Sequence, residues 1–227
     1  MERNSEESEK QLKETSRIEA FSDGIFSISI TLLVIEVVQL LHSKNDSRLL
    51  DLLFHNWEYL FAFIIGFLTI LVCWINHHLV FTYIRKTDSQ LMWVNAFVLF
   101  MVAFTPFPTA VLAEYFETER HLSLAFFGVN YVLISLAAYC ISAYVFRHAL
   151  IDSNSRILFQ KFVKLYKYSI FYTLIAFGVC FLSVPVAIIM YTLLFTVFAF
   201  PKEAATRFVK NKRNKDLKMN SADLSPE

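Results

Sequence analysis

Residues 17–37 read RIEAFSDGIFSISITLLVIEV. An arginine, a glutamate and the triplet Ser22-Asp23-Gly24 run without a break into an apolar stretch long enough to cross a bilayer. Ionised groups inside a membrane are costly unless they are paired or hydrogen-bonded. Asp23 therefore requires donors at its own depth, and the rest of the chain must supply them.

Outward from this stretch, the 227-residue chain is apolar in long blocks rather than short amphipathic runs. It is 56% hydrophobic and 18% charged, with 24 Phe and only 4 Gly. A soluble domain of average composition carries about 25% charged residues. Blocks of this length indicate membrane spans. The first is expected at 20–41, the second at 57–84, the third at 91–115 and the fourth at 122–146. The last block, 165–200, exceeds one span of roughly 20 residues. It is interrupted at Ser183-Val184-Pro185, where proline removes a helix hydrogen bond and restrains its neighbour. Six spans result, the last two expected to be short. Cys73, Cys140 and Cys180 lie inside apolar blocks without metal or disulfide spacing and read as small buried residues.

Basic residues orient the spans. Eighteen of the 21 Lys and Arg fall in the N-terminus, the second and fourth connections, and the C-terminal tail. Only Lys44, Arg48 and Arg120 fall on the other side. By the positive-inside rule both termini are cytoplasmic, which needs an even number of spans. The fold class is an all-α membrane protein with six transmembrane helices. Residues 1–19 form a charged cytoplasmic N-terminus, 20–200 the membrane body, and 201–227 a basic tail; the stretch 2–13 and the tail are expected to be disordered. No cofactor or nucleic-acid partner is expected, and the bilayer is the surroundings.

Topology brings several polar groups to one depth. Arg17, Ser22 and Asp23 open the first span; Trp74, Asn76, His77 and His78 lie in the inner half of the second; Trp93 and Asn95 begin the third. At about 1.5 Å per residue these lie roughly 5–15 Å from the inner boundary. A buried network around Asp23 is expected, tying spans one to three together. A metal site at His77-His78 is disfavoured, because adjacent histidines leave a helix on different faces. A catalytic Ser22 is disfavoured because no base is spaced for it. No enzymatic chemistry is expected.

The first span has a second pattern. Gly24, Ile28, Thr31 and Ile35 follow steps of 4, 3 and 4 and make one narrow face, while Ser22, Ser29 and Glu36 lie on another. Small and hydroxylated residues in a membrane helix mark a packing face. Periodicity alone leaves open whether that face meets a neighbour or lines a pore.

The R-x-x-x-F-S-D pattern of Arg17, Phe21, Ser22 and Asp23 resembles the signature of the transmembrane protein 175 family of potassium channels. WINHHLVF in span two and WVNAFVLFMVAFTPFPTAVLAEY in span three resemble its single-repeat prokaryotic members. The resemblance implies a homotetramer in a cell membrane, with span one of each subunit lining a central potassium-permeable pore. It implies apolar layers at Ile28 and Ile35 with Thr31 or Leu32 between them, and no T-V-G-Y-G filter. Such a constriction implies modest preference for potassium over sodium, with Glu36 drawing cations to the outer mouth. It further assigns Arg17, Phe21, Ser22 and Asp23 to a packing network with Trp74, Asn76, His77 and Asn95. The rival readings are a proton-leak channel or proton-coupled transporter using Asp23 and His77, and a non-conducting scaffold.

Overall fold

The computed structural model describes residues 2–43, 54, 56–151 and 155–200; side chains of the first helix are described at 14–35, 37 and 38. The tail and the Glu36 side chain lie outside the described residues. Among the described residues seven helices follow one another: α1 (Glu2–Ser43), α2 (Trp57–Tyr83), α3 (Ser89–Phe104), α4 (Pro106–Tyr115), α5 (Arg120–Arg147), α6 (Arg156–Cys180) and α7 (Val184–Ala199). Five stretches among them are long and apolar enough to cross a membrane: Glu14–Ile35, Trp57–Tyr83, Ser89–Tyr115, Arg120–Arg147 and Arg156–Cys180. The sixth, α7, has 16 residues and spans only about 24 Å at about 1.5 Å per residue.

Three boundaries differ from expectation. The polar opening is helical from Glu2 instead of disordered. Its Glu6/Lys10 and Glu9/Lys13 spacings favour helix, and extension from an existing helix avoids the cost of nucleation. The fifth span begins at Arg156, nine residues before Leu165, and is therefore not short. Phe159, Phe162, Leu165 and Tyr166 recur at helical spacing and are buried, which draws Lys161 and Lys164 into the same helix. The third span is interrupted at Thr105, before Pro106. There the Thr105 hydroxyl donates to Met101 O at 3.0 Å and accepts from Asn130 Nδ2 at 3.0 Å, so α5 braces the junction.

The Ser183-Val184-Pro185 break appears as expected, with α6 ending at Cys180 and α7 starting at Val184. His77 meets Asn95 between α2 and α3, and Tyr172 reaches Met190 O between α6 and α7. Phe26, Leu33, Ile70, Leu99 and Val102 form one buried cluster joining α1, α2 and α3. Close approach there depends on Gly66. A Cβ at that position would stand 2.8 Å from Thr109 Oγ1 and 3.1 Å from Leu33 Cδ2. The three thiols are free, with Cys180 buried and Cys73 and Cys140 half-buried.

At the end of α5, Leu150 N–H reaches back to Val145 O at 3.2 Å, and Ala149 sits at φ 51°. This is the left-handed helix end that glycine usually occupies. Leu150 O then accepts from Arg85 N–H at 2.8 Å, joining the α5 exit to the α2–α3 connection. Ala149→Gly relieves the left-handed penalty at some entropic cost. It should stabilise the protein by about 0.5–1 kcal/mol, a rise in thermal midpoint that differential scanning fluorimetry can read; a fall would show that the backbone is unstrained there.

Candidate functional site

The first helix has two chemically different sides. Ser22, Phe26, Ser29 and Leu33 are buried within the chain, following steps of 4, 3 and 4. Ser22 and Ser29 turn their hydroxyl protons back onto Ile18 O at 2.8 Å and Ile25 O at 2.7 Å, so they pack without loose donors. The opposite side carries large apolar groups left exposed by the described residues: Phe21 is 67% exposed, Ile28 61% and Ile35 47%. Gly24 and Thr31 are exposed on the same side, and Leu32 is exposed beside them. The Thr31 hydroxyl donates to Ile28 O at 2.8 Å, which leaves its oxygen lone pairs facing outward.

A directed hydrogen-bond chain holds the buried side. Because Ser22 gives its proton to Ile18 O, its oxygen accepts Asn95 Nδ2–H at 3.0 Å. Asn95 therefore presents Oδ1 to His77 Nε2 at 2.8 Å, and His77 is the donor. The ring is held edge and face by Phe26, at 5.3 Å, and Phe81, at 4.4 Å between centroids. A second pair of contacts runs beside the first: Trp74 Nε1–H donates to Asp23 Oδ1 at 2.9 Å, and Glu19 meets His78 Nδ1 at 2.8 Å. Glu19 and Asp23 are one turn apart on α1, as Trp74 and His78 are on α2. Deeper toward the chain start, Thr87 donates to Glu14 at 3.1 Å.

The sequence-expected network thus divides into parts. Ser22, Asp23, Trp74, His77 and Asn95 come together between α1, α2 and α3, yet Asp23 receives Trp74 alone among the expected donors. Asn76 belongs elsewhere. It donates to Phe198 O at 2.8 Å and accepts from Tyr166 at 2.8 Å, tying α2 to α6 and α7, because it leaves α2 one residue away from His77. Arg17 is exposed and forms no ion pair with Asp23, and Phe21 lies on the exposed side, away from the network. Trp93 is 79% exposed and takes no part. The Glu19–His78 pair was missed in the sequence, although its spacing of four from Asp23 and Trp74 carried the signal.

Ser22→Ala should orphan the Asn95 amide and cost about 1–3 kcal/mol of stability. The double change Ser22→Ala/Asn95→Leu should cost less than the two single changes together, with a coupling of about 0.5–3 kcal/mol. Thermal unfolding of the four proteins in one detergent reads both quantities. Additive losses would show that the two side chains share no bond.

Comparison with known proteins follows the same lines. The family model described as "Endosomal/lysosomal potassium channel TMEM175" matches residues 17–106, which span α1 to the start of α4. A potassium channel of Chamaesiphon minutus is 37% identical over 180 residues, 75% of this chain and 86% of that one. One of Streptomyces collinus is 39% identical over 128 residues, and this match spans 56% of the chain and 62% of the relative. An endosomal/lysosomal proton channel TMEM175 of Gallus gallus is 27% identical over 112 residues, 46% of this chain and 22% of that one. The crystal structure of a lysosomal potassium-selective channel TMEM175 homolog from Chamaesiphon minutus superposes with a TM-score of 0.70 at 32% identity, covering 84% of this chain and 98% of that one. With a relative more than a third identical along most of its length, and with the signature residues within α1, the chain belongs to the TMEM175 family of ion channels.

Proposed function

We propose that the chain is a subunit of a homotetrameric, potassium-permeable channel in a cell membrane, with α1 of each copy lining the central pore and both termini cytoplasmic. The observation that carries this reading is the free side of α1. Phe21, Gly24, Ile28, Thr31 and Ile35 form an exposed stripe, and the opposite side of the same helix is fixed by the Ser22–Asn95–His77 chain. A helix lining a pore needs both properties. Its lumen face stays free while its back is held.

Four copies of Ile28 and Ile35 around an axis form apolar rings that gate by dewetting, and the outward lone pairs of Thr31, with Leu32 beside them, form the layer between. Apolar rings offer no oxygen cage in place of an ion's water shell, so potassium is preferred over sodium only modestly. Cations gather at the pore through the electrostatics of its mouths, and no covalent chemistry or cofactor takes part. Arg17 and Phe21, exposed within one chain, lie where a neighbouring copy approaches.

Potassium flux from proteoliposomes down a gradient tests the reading, and intact tetramers without flux would end it. Ile28→Asn places a hydrogen-bonding group in the apolar ring. It should raise conductance and reduce potassium preference over sodium severalfold in bilayer recordings, whereas unchanged currents would remove Ile28 from the constriction.

Proton conduction is the second reading, favoured by the proton channel named among the vertebrate relatives and by Glu19, Asp23, His77 and His78 at one depth. It predicts proton uptake under a potassium-free pH gradient that is lost in His77→Ala. Absence of that uptake in the unaltered protein leaves potassium conduction alone.

A further inference from the structure

Helix α6 carries Arg156, Lys161, Lys164 and Lys167 but no carboxylate. The two helices packed beside it, α5 and α7, contain no Asp or Glu either. Lys164 and Lys167 are exposed and enter no ion pair among the described residues. Where the α5 exit meets the α2–α3 connection, the exposed charges are again basic, at Arg85, Lys86 and Arg147, and Asp88 already accepts from Tyr144 at 2.7 Å. This end of the body therefore holds a positive surplus that its own acids do not answer.

Depth makes the surplus costly. The Tyr83 ring, in the last turn of α2, lies 6.2 Å from the rings of Phe159 and Phe162, which sets that part of α6 level with the end of α2. Exposed Arg85 and Lys86 follow at once and mark the membrane boundary. Tyr166 donates to Asn76, which stands roughly 10 Å further in along α2. Lys164 and Lys167 flank Tyr166 and so start inside the boundary, on the side of α6 opposite its buried Phe162, Tyr166 and Ser169. Side chains on a helix lean toward its first residue, and α6 begins at this boundary. Both ammonium groups are thus aimed at the headgroup layer, with their methylene stems along the helix surface.

Beyond the lysines on the same side stand Tyr168, Phe171, Leu174 and Ile175, which are 51%, 56%, 48% and 61% exposed. A pair of cations at the head of a long apolar strip complements a molecule with an anionic head and hydrocarbon chains. A free anion in water gains nothing from the strip. A zwitterionic headgroup brings an ammonium of its own to offset its phosphate, so net negative charge is what the lysines select. We propose that this side of α6 binds an anionic phospholipid, with Lys164 and Lys167 on its phosphate group and the apolar strip along its acyl chains. The binding rests on the chain crossing a membrane and not on conduction.

Native mass spectrometry of the full chain in detergent, titrated with phosphatidylglycerol or with phosphatidylcholine of the same acyl chains, tests the proposal. The first phosphatidylglycerol should bind severalfold tighter than phosphatidylcholine, and inorganic phosphate should not displace it. Lys164→Gln/Lys167→Gln should weaken that binding by roughly 25-fold, about fivefold for each charge removed near the membrane surface. The single changes, each expected to cost about fivefold, keep the test decisive if the double variant misfolds. Lys164→Arg/Lys167→Arg should retain the affinity. Lys212→Gln/Lys215→Gln, which removes the same charge from the tail, should leave it unchanged. Equal binding of the two lipids, displacement by inorganic phosphate, or an equal loss in the tail variant would overturn the proposal. So would an altered subunit number in Lys164→Gln/Lys167→Gln with lipid affinity kept, which would place a second copy on this side. The measurement needs no current, so failure of the pore reading and failure of the lipid site give different results.

Discussion

In a membrane interior every polar group must find its partner within the protein, because lipid offers none. The body of this protein is organised around that constraint at Ser22. One hydroxyl donates to its own helix, accepts from Asn95 and through it reaches His77, so three helices are joined by two side-chain bonds of 3.0 and 2.8 Å. Because each link has a defined donor, the chain of bonds has a direction. It leaves the histidine with one specified lone pair instead of an ambiguous ring.

The same logic recurs on the far side of α2. Asn76 has a carbonyl and an amide, and both are used: Tyr166 donates to the first, and the second donates to Phe198 O and Val72 O. Asn76 and His77 are consecutive, yet they face different helices, so α2 is the central post of the body. Asn76 secures α6 and α7, and the next residue, His77, bonds to Asn95 of α3 and packs on Phe26 of α1. The short α7 is held near its end by this bond and by stacking of Phe198 on Tyr166, with ring centroids 5.5 Å apart.

Much of this was legible in the residues. Hydropathy blocks located the spans, Ser183-Val184-Pro185 marked the last turn, and common depth singled out Ser22, Asp23, Trp74, His77 and Asn95. Depth alone could not resolve rotation. It grouped Asn76 with His77 and Trp93 with Asn95, although neighbours on a helix differ by about 100° and so seek different partners. Amphipathic length was also hard to see. The helix from Arg156 carries lysines on one side and buried aromatics on the other, and average hydropathy hides such an arrangement. Rotation about α1 was better specified, because small residues and large apolar ones alternate around it at helical spacing, and its free and buried sides separate as that spacing requires.

The paired contacts between α1 and α2 have one more consequence. Glu19 and Asp23 repeat at the interval of Trp74 and His78, so a slide of α1 by one helical turn, about 5.4 Å, would still set a carboxylate against a ring N–H. One of the two contacts would survive such a slide and the other would be lost, with Thr15 or Ser27 facing the second ring, so they mark the register only in part. Ser22 marks it fully. One turn to either side of it stand Ile18 and Phe26, and neither side chain can accept the Asn95 amide. The charged rungs grip the helix at more than one height, and a single uncharged hydroxyl decides which height is home.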